Sequence, residues 1–326
     1  MTQTSLPILD MSSPLARPAF CRLADWTLLR VSGEDAASFL QGQSTCDISA
    51  LADGELGCGA FCTPKGRVIA TARLARWGNA FYLLLPADLA SLIQKRLQMY
   101  VLRSRAGIED LSSKYLLFGA MGPGIEPALC SAGLRPPQAA GLSWSSDADG
   151  GILKLTGDLE RFILLVPADK NLTTEMTGQL QAVHPDTWKL SEIEAGFPWV
   201  TRATSEAFLP QMLNLDMLEG ISFSKGCYTG QEIVTRTHFL GQLKRRMFRL
   251  CAASGSDLAP GSPVCNVTEG ETVTAGHIVN ACRNARGELE CLAVLGLEFA
   301  DSPDLHTTDS QGLSLRRLPL PYPPVT

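Results

Sequence analysis

The most informative stretch of this 326-residue sequence is Lys225-Gly226-Cys227-Tyr228-Thr229-Gly230-Gln231-Glu232. Thr229 and Glu232 have the spacing of a capping box, in which a Thr hydroxyl and a Glu carboxylate each bond a free backbone N–H at a helix N-terminus. We therefore predict a helix whose N-cap is Thr229. Cys227 then lies two residues before the cap, in the positive field of the helix and next to the Lys225 ammonium. Both effects favour a thiolate over a thiol.

Cys227 is therefore a candidate nucleophile or soft-metal ligand, and Lys225 is the candidate activator of its thiol. The alternative is a buried cysteine in a glycine-rich turn, because an unpaired cysteine behaves as a small hydrophobic side chain. A sulfur that opens to a cavity would favour the first interpretation, and a sulfur buried far from any cavity would favour the second.

The same stretch, with Arg236 after it, resembles the signature K-G-C-[FY]-x-G-Q-E-x-x-x-R of the YgfZ family. Four other segments resemble blocks of that family, in the family's order: residues 39–47 (FLQGQSTCD), 63–67 (TPKGR), 193–198 (IEAGFP) and 208–216 (FLPQMLNLD). YgfZ proteins bind folate and are related to T-protein, the aminomethyltransferase of the glycine cleavage system. The resemblance implies an α+β fold of duplicated T-protein-type subdomains, followed by a C-terminal antiparallel β-barrel.

The resemblance also implies a function. The chain is expected to bind tetrahydrofolate or a derivative and to help assemble or repair iron–sulfur clusters in client enzymes, including the radical-SAM enzyme that methylthiolates tRNA. In this hypothesis Cys227 acts as a thiolate at the rim of the folate pocket, and Lys225 keeps it ionised. Cys227 is also a candidate transient ligand of a cluster, and no resident metal site is expected. The alternative is a folate-dependent aminomethyltransferase or another one-carbon transferase.

Composition narrows the class of protein. Apolar residues make up 45% of the chain and charged residues 19%, as in an ordinary soluble globular protein. The formal net charge of −5 argues against a general polyanion binder. No apolar run approaches the ~20 residues of a membrane span, and Asp10 and Pro14 interrupt the first 25 residues, so we expect no membrane helix and no secretory signal. Ten cysteines without a C-x-x-C pair favour reduced thiols in a cytoplasmic protein.

The length predicts more than one domain, and we place a boundary after residue 242. Residues 1–242 are predicted to form the folate-binding α+β region of two intertwined subdomains. Two segments about eighty residues apart are each predicted to form a strand, a turn and a helix. The strand is followed by Pro86-Ala87-Asp88 in one segment and by Pro167-Ala168-Asp169 in the other. A duplication explains this repeat, and chance repetition of a common turn is the alternative. Residues 243–326 carry short β-type runs without a convincing amphipathic helix, which is typical of a small antiparallel barrel.

Local patterns predict individual elements of the first region. Residues 26–31, 67–77 and 80–85 are predicted strands, the last two joined by a hairpin at Gly78-Asn79. Residues 89–100 have helical spacing, and the composition of residues 131–151 favours a loop. Ser32 and Asp35 predict a capped helix that ends near Gly42 in a left-handed C-cap.

We assign seven residues to folate binding: Lys65, Arg67, Asp158, Tyr228, Gln231, Glu232 and Arg236. Lys65 and Arg67 lie in a turn that enters a strand, and two exposed cations on a surface turn are the alternative. Asp158 follows Thr156-Gly157 and so resembles a T-protein segment whose glutamate holds the pterin. A hairpin-turn aspartate is the alternative for Asp158.

The segment that follows Cys227 is basic. A cluster of cations favours an anionic partner, either the glutamyl tail of a folate or a phosphate backbone, which includes a weak contact with tRNA. A solvated face with internal salt bridges is the alternative. Phe239-Leu240-Gly241 stands where family members often carry Tyr-Arg-Gly, and this loss of an arginine weakens the case for nucleic acid. The cluster consists of Arg236, His238, Lys244, Arg245, Arg246 and Arg249.

A missing carboxylate argues against catalysis. T-proteins carry an aspartate pair after the segment that corresponds to residues 65–71, and one of these carboxylates assists reaction at the folate. No Asp or Glu occurs from Cys58 to Ala80. Without a positioned acid there is no obvious proton donor to the pterin, so we expect the pocket to bind folate without turnover. A classical enzyme is therefore not expected.

Overall fold

The computed structural model describes residues 6–11, 15–144, 150–170, 178, 180–253, 258–268, 271–307 and 312–322. Within these residues the chain forms three β-sheets, of five, six and six strands, and five α-helices. None of these helices is both long and apolar enough to span a bilayer. The helices are α1 (Ala36–Gln41), α2 (Ala87–Val101), α3 (Ile125–Ser131), α4 (Pro185–Glu194) and α5 (Gln231–Phe239).

The first sheet has the strand order β3-β4-β5-β2-β6. The three predicted strands and the predicted helix of this region are confirmed as β2, β4, β5 and α2, and the predicted hairpin joins β4 to β5. Gly78 in that hairpin has a φ of 57°, which suits glycine. The strands are β2 (Trp26–Ser32), β3 (Leu56–Cys62), β4 (Val68–Trp77), β5 (Ala80–Pro86) and β6 (Gly107–Asp110).

The second sheet has the order β11-β1-β7-β10-β9-β8. Its strand β8 lies within residues 131–151, so the prediction of a loop there was wrong for Gly141–Trp144, which pair with β9. The Gly and Ser content of this segment is typical of loops, so its composition did not indicate the short edge strand. The strands are β1 (Ala19–Arg22), β7 (Tyr115–Met121), β8 (Gly141–Trp144), β9 (Gly151–Lys154), β10 (Arg161–Pro167) and β11 (Gln181–Ala182).

The two sheets are duplicates in topology, which confirms the predicted repeat. In each, a strand and a short helix (β2 and α1, or β7 and α3) precede three antiparallel strands in the same spatial order. The place of β6 beside β2 in the first sheet is taken by β1 beside β7 in the second, so a strand that precedes the first unit in sequence belongs to the sheet of the second. The helical stretch predicted after Pro167 falls mainly on residues 171–177 and 179, outside the described residues.

Both sheets are buried on both faces, which explains why their strands are almost wholly apolar. Along β5, Leu83 and Leu85 face one core and Leu84 faces the other, as expected from the alternation of side chains along a strand. The second core fills the space between the two sheets and contains Trp188 from α4. The helix α3 covers the far face of the second sheet through Ile125.

The C-terminal sheet is a curled antiparallel half-barrel with the order β16-β13-β14-β15-β12-β17. A bridge between His306 and Ser314 links its two edges. One face joins the core of the first sheet through Met247 and Val294, so the domain boundary after residue 242 stays a prediction. The strands are β12 (Arg245–Ala252), β13 (Pro263–Thr268), β14 (Glu271–Arg283), β15 (Leu289–Gly296), β16 (Leu305–Thr307) and β17 (Leu315–Leu318).

The predicted ends of α1 need correction. Asp35 is the N-cap but makes no side-chain capping bond, because its carboxylate accepts the backbone N–H of Arg105 at 2.8 Å. Gly42 follows the helix with a φ of −81°, so the left-handed C-cap was wrong. The chain turns there without a positive φ, and the Gly42 carbonyl accepts the N–H of Thr229 at 3.3 Å.

We expect Gly119→Ala to lower the free energy of unfolding by about 2–3 kcal/mol, because overpacking a full core forces neighbours to move. A Cβ on Gly119 would lie 2.3 Å from the ring of Trp188, which is buried. Urea denaturation measures the change. Gly226→Ala is the control, because its Cβ would meet nothing within 4 Å. Equal stability of the two variants would contradict this account of the packing between the sheets.

Candidate functional site

The helix α5 begins one residue later than predicted. Its N-cap is Gly230, with a φ of 88° and no side-chain capping bond, so the capping box of Thr229 and Glu232 was wrong. Close packing explains the shift. A Cβ on Gly230 would lie 2.5 Å from the Thr63 carbonyl oxygen and 3.0 Å from the Cα of Gly66. The helix start is therefore set by its contact with the turn of residues 63–67.

Cys227 lies three residues before this N-cap and is exposed. It opens into a groove of about 710 Å³ along one side of α5, whose lining also includes Tyr228, Gln231, Glu232 and Arg236. Five of the residues predicted from the sequence therefore share one surface. The alternative of a buried thiol in a glycine-rich turn is contradicted, since the sulfur is accessible to a partner or reagent.

Lys225 is buried, and its ammonium is fully engaged. Its Nζ donates to the carbonyl oxygens of Gln41, Ser44 and Cys46, each at 2.7 Å, and lies 4.9 Å from the centre of the Tyr228 ring. Burial lowers the pKa of Lys225 to about 8. None of its hydrogen bonds in the described residues goes to Cys227. The geometry indicates that Lys225 anchors the Cys227 loop to residues 41–46. It gives no support to the expected role of Lys225 as the activator of the Cys227 thiol.

Two hydroxyls beneath the groove have no hydrogen-bond partner among the described residues. They belong to Tyr228, which is 7% exposed, and to Thr235 on α5. Burial raises the pKa of Tyr228 well above its usual range. Unpaired buried hydroxyls are rare in folded proteins, so the floor of the groove retains unused capacity for hydrogen bonding.

Lys65 and Arg67 lie beside the groove but do not line it. Both side chains are exposed, on the turn that packs against the start of α5. Arg67 is partly used by the fold, because its Nη1 donates to the carbonyl oxygen of Ala207 at 2.7 Å. Asp158 is separate from this surface. It is exposed in the connection between β9 and β10 of the second sheet, as the hairpin-turn alternative predicts.

The basic cluster divides into two groups. Arg246 forms a bidentate pair with Asp216, at 2.6 and 2.8 Å. Arg249 contacts both Glu194 and Glu290. For these two arginines the alternative of internal salt bridges is correct, and the predicted six-cation surface was too large. The members of the cluster that remain exposed are Arg236, His238, Lys244 and Arg245.

A second cavity, of about 480 Å³, lies where α4, the first sheet and the C-terminal sheet meet. Its walls include Trp26, Phe197 and Trp199, and the rings of the two tryptophans meet edge to face at 6.0 Å. No residue lines both this cavity and the groove. None of the residues that the sequence assigned to folate lines it either, so sequence reasoning missed the more enclosed of the two sites.

Glu192, on the wall of this cavity, is buried between two guanidinium groups. Arg73 donates to both carboxylate oxygens at 2.9 and 2.7 Å, Arg161 lies 3.4 Å away, and the indole N–H of Trp199 donates at 3.1 Å. Burial alone would raise the pKa of Glu192, but the two arginines outweigh it and hold the pKa below its usual value. The carboxylate therefore stays ionised. One signal was present in the sequence: Arg73 interrupts an otherwise apolar strand core.

Among the described residues, no group of three or more His, Cys, Asp or Glu side chains is placed to hold a metal ion. Cys227 has no second cysteine in the lining of its groove. The four cysteines of the C-terminal sheet (Cys251, Cys265, Cys282 and Cys291) are all buried.

We expect Lys225→Met to lower the free energy of unfolding by about 2–4 kcal/mol, because three carbonyls lose their donor at once. Chemical denaturation followed by circular dichroism measures this change. Lys65→Met removes an exposed ammonium and is the matched control, expected to alter stability by less than about 0.5 kcal/mol.

The same variant separates anchoring from activation. If Lys225 activated the thiol directly, Lys225→Met would slow the alkylation of Cys227 by iodoacetamide and leave that of Cys130, the other exposed cysteine, unchanged. A variant as stable as the wild-type protein would contradict the anchoring role.

The comparisons with known proteins agree with the family features of the sequence. No family model matches the chain. It is 31% identical over 315 residues to the tRNA-modifying protein YgfZ of Pectobacterium carotovorum subsp. carotovorum (strain PC1), covering 96% of this chain and 94% of the relative. To the protein of the same name from Serratia proteamaculans (strain 568) it is 33% identical over 304 residues, covering 92% and 91%.

Among solved structures, the glycine cleavage system aminomethyltransferase T from Bartonella henselae matches with a TM-score of 0.72 and 15% identity, over 94% of this chain and 86% of that chain. This likeness confirms the predicted T-protein type of fold. The sequence relatives are above 30% identity and align over nearly their whole length, so this chain belongs to the YgfZ family.

Proposed function

We propose that this chain is a folate-binding accessory factor for the assembly or repair of iron–sulfur clusters in client enzymes, including radical-SAM tRNA methylthiolation. The observation that carries the proposal is the exposure of Cys227 in an open groove, in a chain where Cys130 alone of the other cysteines is also exposed. A thiol in that position is accessible to the cysteines or cluster of a docked protein. The relatives named tRNA-modifying proteins support the link to tRNA modification.

The enclosed cavity suits tetrahydrofolate better than the groove does. A pterin is a flat ring system that stacks on aromatic side chains, and Trp26, Phe197 and Trp199 supply such walls. The volume is within the usual range of small-ligand pockets. Asp25 and Lys189 at the mouth, paired at 2.8 Å, offer charged partners for the polar edge or the glutamyl tail. In this proposal Trp26 and Trp199 hold the pterin, and the groove is the alternative binding site for folate.

The electrostatics of the cavity favour binding without turnover. General acid catalysis needs a group that can give up a proton near neutral pH. Glu192 is ionised and tied to Arg73, Arg161 and Trp199, so it has no proton to give and no freedom to move. The second candidate, a tetrahydrofolate-dependent aminomethyltransferase, is supported by the T-protein fold. Formation of methylenetetrahydrofolate from an aminomethyl donor would favour that candidate.

A direct contact with tRNA is the weaker part of the proposal. Three exposed cations of the basic cluster, Arg236, Lys244 and Arg245, remain to contact phosphates, since Arg246 and Arg249 are used internally. Electrostatic binding by so few charges is weak and falls with salt. The role in tRNA modification is therefore proposed to act chiefly through the client enzyme, in the cytoplasm, as the composition of the chain predicts.

We expect Cys227→Ser to abolish the activity of an iron–sulfur client enzyme in a strain that lacks this protein, while stability and folate affinity stay unchanged. The reason is that a hydroxyl neither attacks nor ligates as a thiolate does. The measurement is client activity after complementation. Cys130→Ser, at the other exposed cysteine, is the matched control and should complement fully. Complementation by the Cys227 variant would remove the thiol from the mechanism.

We expect Trp26→Leu to weaken tetrahydrofolate binding by about tenfold, because one aromatic stacking contact contributes roughly 1 kcal/mol or more. Isothermal titration calorimetry under anaerobic conditions measures the affinity. Trp77→Leu is the control, since Trp77 is exposed at the far end of β4 and outside the cavity. If Arg236→Glu weakens binding and Trp26→Leu does not, the folate sits in the groove.

A further inference from the structure

The exposed apolar side chains of this protein are concentrated on two helices. Eleven large apolar residues are exposed in the described residues, and six of them lie on α2, on α5 or on the residue that follows each helix. The four most exposed are all in this group: Leu102 and Leu240 at 86%, Met99 at 67% and Phe239 at 64%. Leu92 and Tyr100 complete it. Scattered single residues of this kind are normal, but a concentration marks an interaction site.

The two helices flank the same turn. On one side, Nη2 of Arg96 on α2 donates to the Cys62 carbonyl oxygen at 2.8 Å. On the other side, the start of α5 packs on Cys62 and Thr63. A Cβ on Gly230 would lie 3.2 Å from the Cβ of Cys62 and 2.5 Å from the Thr63 carbonyl oxygen. The nine residues of α5 extend only about 14 Å from that point. Both helices therefore contact Cys62 at the end of β3. The exposed apolar groups of the two helices, together with the Cys227 groove, are called here the α2–α5 surface.

Exposed cations outnumber exposed carboxylates on and beside α2, α5 and the turn of residues 63–67, although the whole chain has a net charge of −5. Glu232 is the single exposed carboxylate on α5. On α2, Asp88 accepts the backbone N–H of Arg202. The surface thus combines an apolar centre with a basic edge. Its exposed cations are Lys65, Arg67, Lys95, Arg103, Arg236, Lys244 and Arg245.

We propose that the α2–α5 surface is the docking site of the client protein, through a client face that is acidic around an apolar centre. Aliphatic groups such as Leu102, Met99 and Leu240 offer little to bases or phosphates, whereas Met, aromatic side chains and Arg are enriched where proteins bind each other. RNA is therefore the less favoured occupant. The inference rests on the proposed function, because docking here places the client next to Cys227.

Binding to a purified radical-SAM tRNA methylthiotransferase, measured by biolayer interferometry, tests the proposal. We expect Phe239→Ser with Leu240→Ser, and separately Met99→Ser with Leu102→Asn, to weaken binding at least about tenfold, as for central interface residues. Val267→Ser with Val273→Ser is the matched control, since these exposed valines lie on β13 and β14. The control pair should bind as the wild-type protein does. Circular dichroism and folate affinity check that each variant is folded.

Three results would overturn the docking site. The first is a wild-type protein that does not bind the methylthiotransferase, and the second is binding that neither helix pair weakens. The third is that the variants weaken the binding of a tRNA transcript and leave the binding of the enzyme unchanged. Complementation separates this failure from that of the proposed function. If the Phe239/Leu240 variant restores client activity, docking is wrong and the function stands. If deletion of the protein leaves client activity intact, the proposed function itself is wrong.

Discussion

The buried carboxylate of Glu192 is the interaction on which the rest of the fold depends. It joins Arg73 of the first sheet to Arg161 of the second, from a position on α4 that packs against both. A charge group of this kind is strongly destabilising when one member is lost, by about 3–5 kcal/mol, because the remaining charges are left buried without a partner. The duplicated sheets are therefore locked in one relative arrangement. The aromatic cavity beside Glu192 takes its shape from the same arrangement.

The same interaction limits the acid–base chemistry that Glu192 can perform. A carboxylate held by two guanidiniums at the edge of a ligand cavity provides fixed negative charge, whereas an acid catalyst must exchange its proton. The first sheet supplies no carboxylate of its own between Cys58 and Ala80. The ion pairs that stabilise the fold therefore also keep Glu192 from acting as a proton donor, which agrees with the proposal of a protein that holds a folate without converting it.

Sequence patterns were sufficient for elements whose signals are local. The periodicity of residues 89–100 and the Gly78-Asn79 hairpin were found where predicted, and the Pro86 and Pro167 repeat indicated the duplication. The failures at residues 225–232 involve contacts between distant segments. Gly230 replaced Thr229 as N-cap because of the approach of Thr63, and the partners of Lys225 come from residues 41–46. No spacing within residues 225–232 carries information about either contact, so helix capping and the role of the lysine could not be predicted locally.

The separation of cavity and groove changes the relation expected between folate and thiol. The sequence hypothesis placed Cys227 at the rim of the folate pocket, but the aromatic cavity and the groove share no lining residue. Strand β4 runs between them. It starts at Val68, beside the turn that supports α5, and Arg73, which binds Glu192 on the cavity wall, lies about 17 Å further along at 3.3 Å per residue. If folate binds in the cavity, as proposed, β4 and the turn at its start provide one connection between the ligand and Cys227. The same turn packs against the start of α5 in the α2–α5 surface.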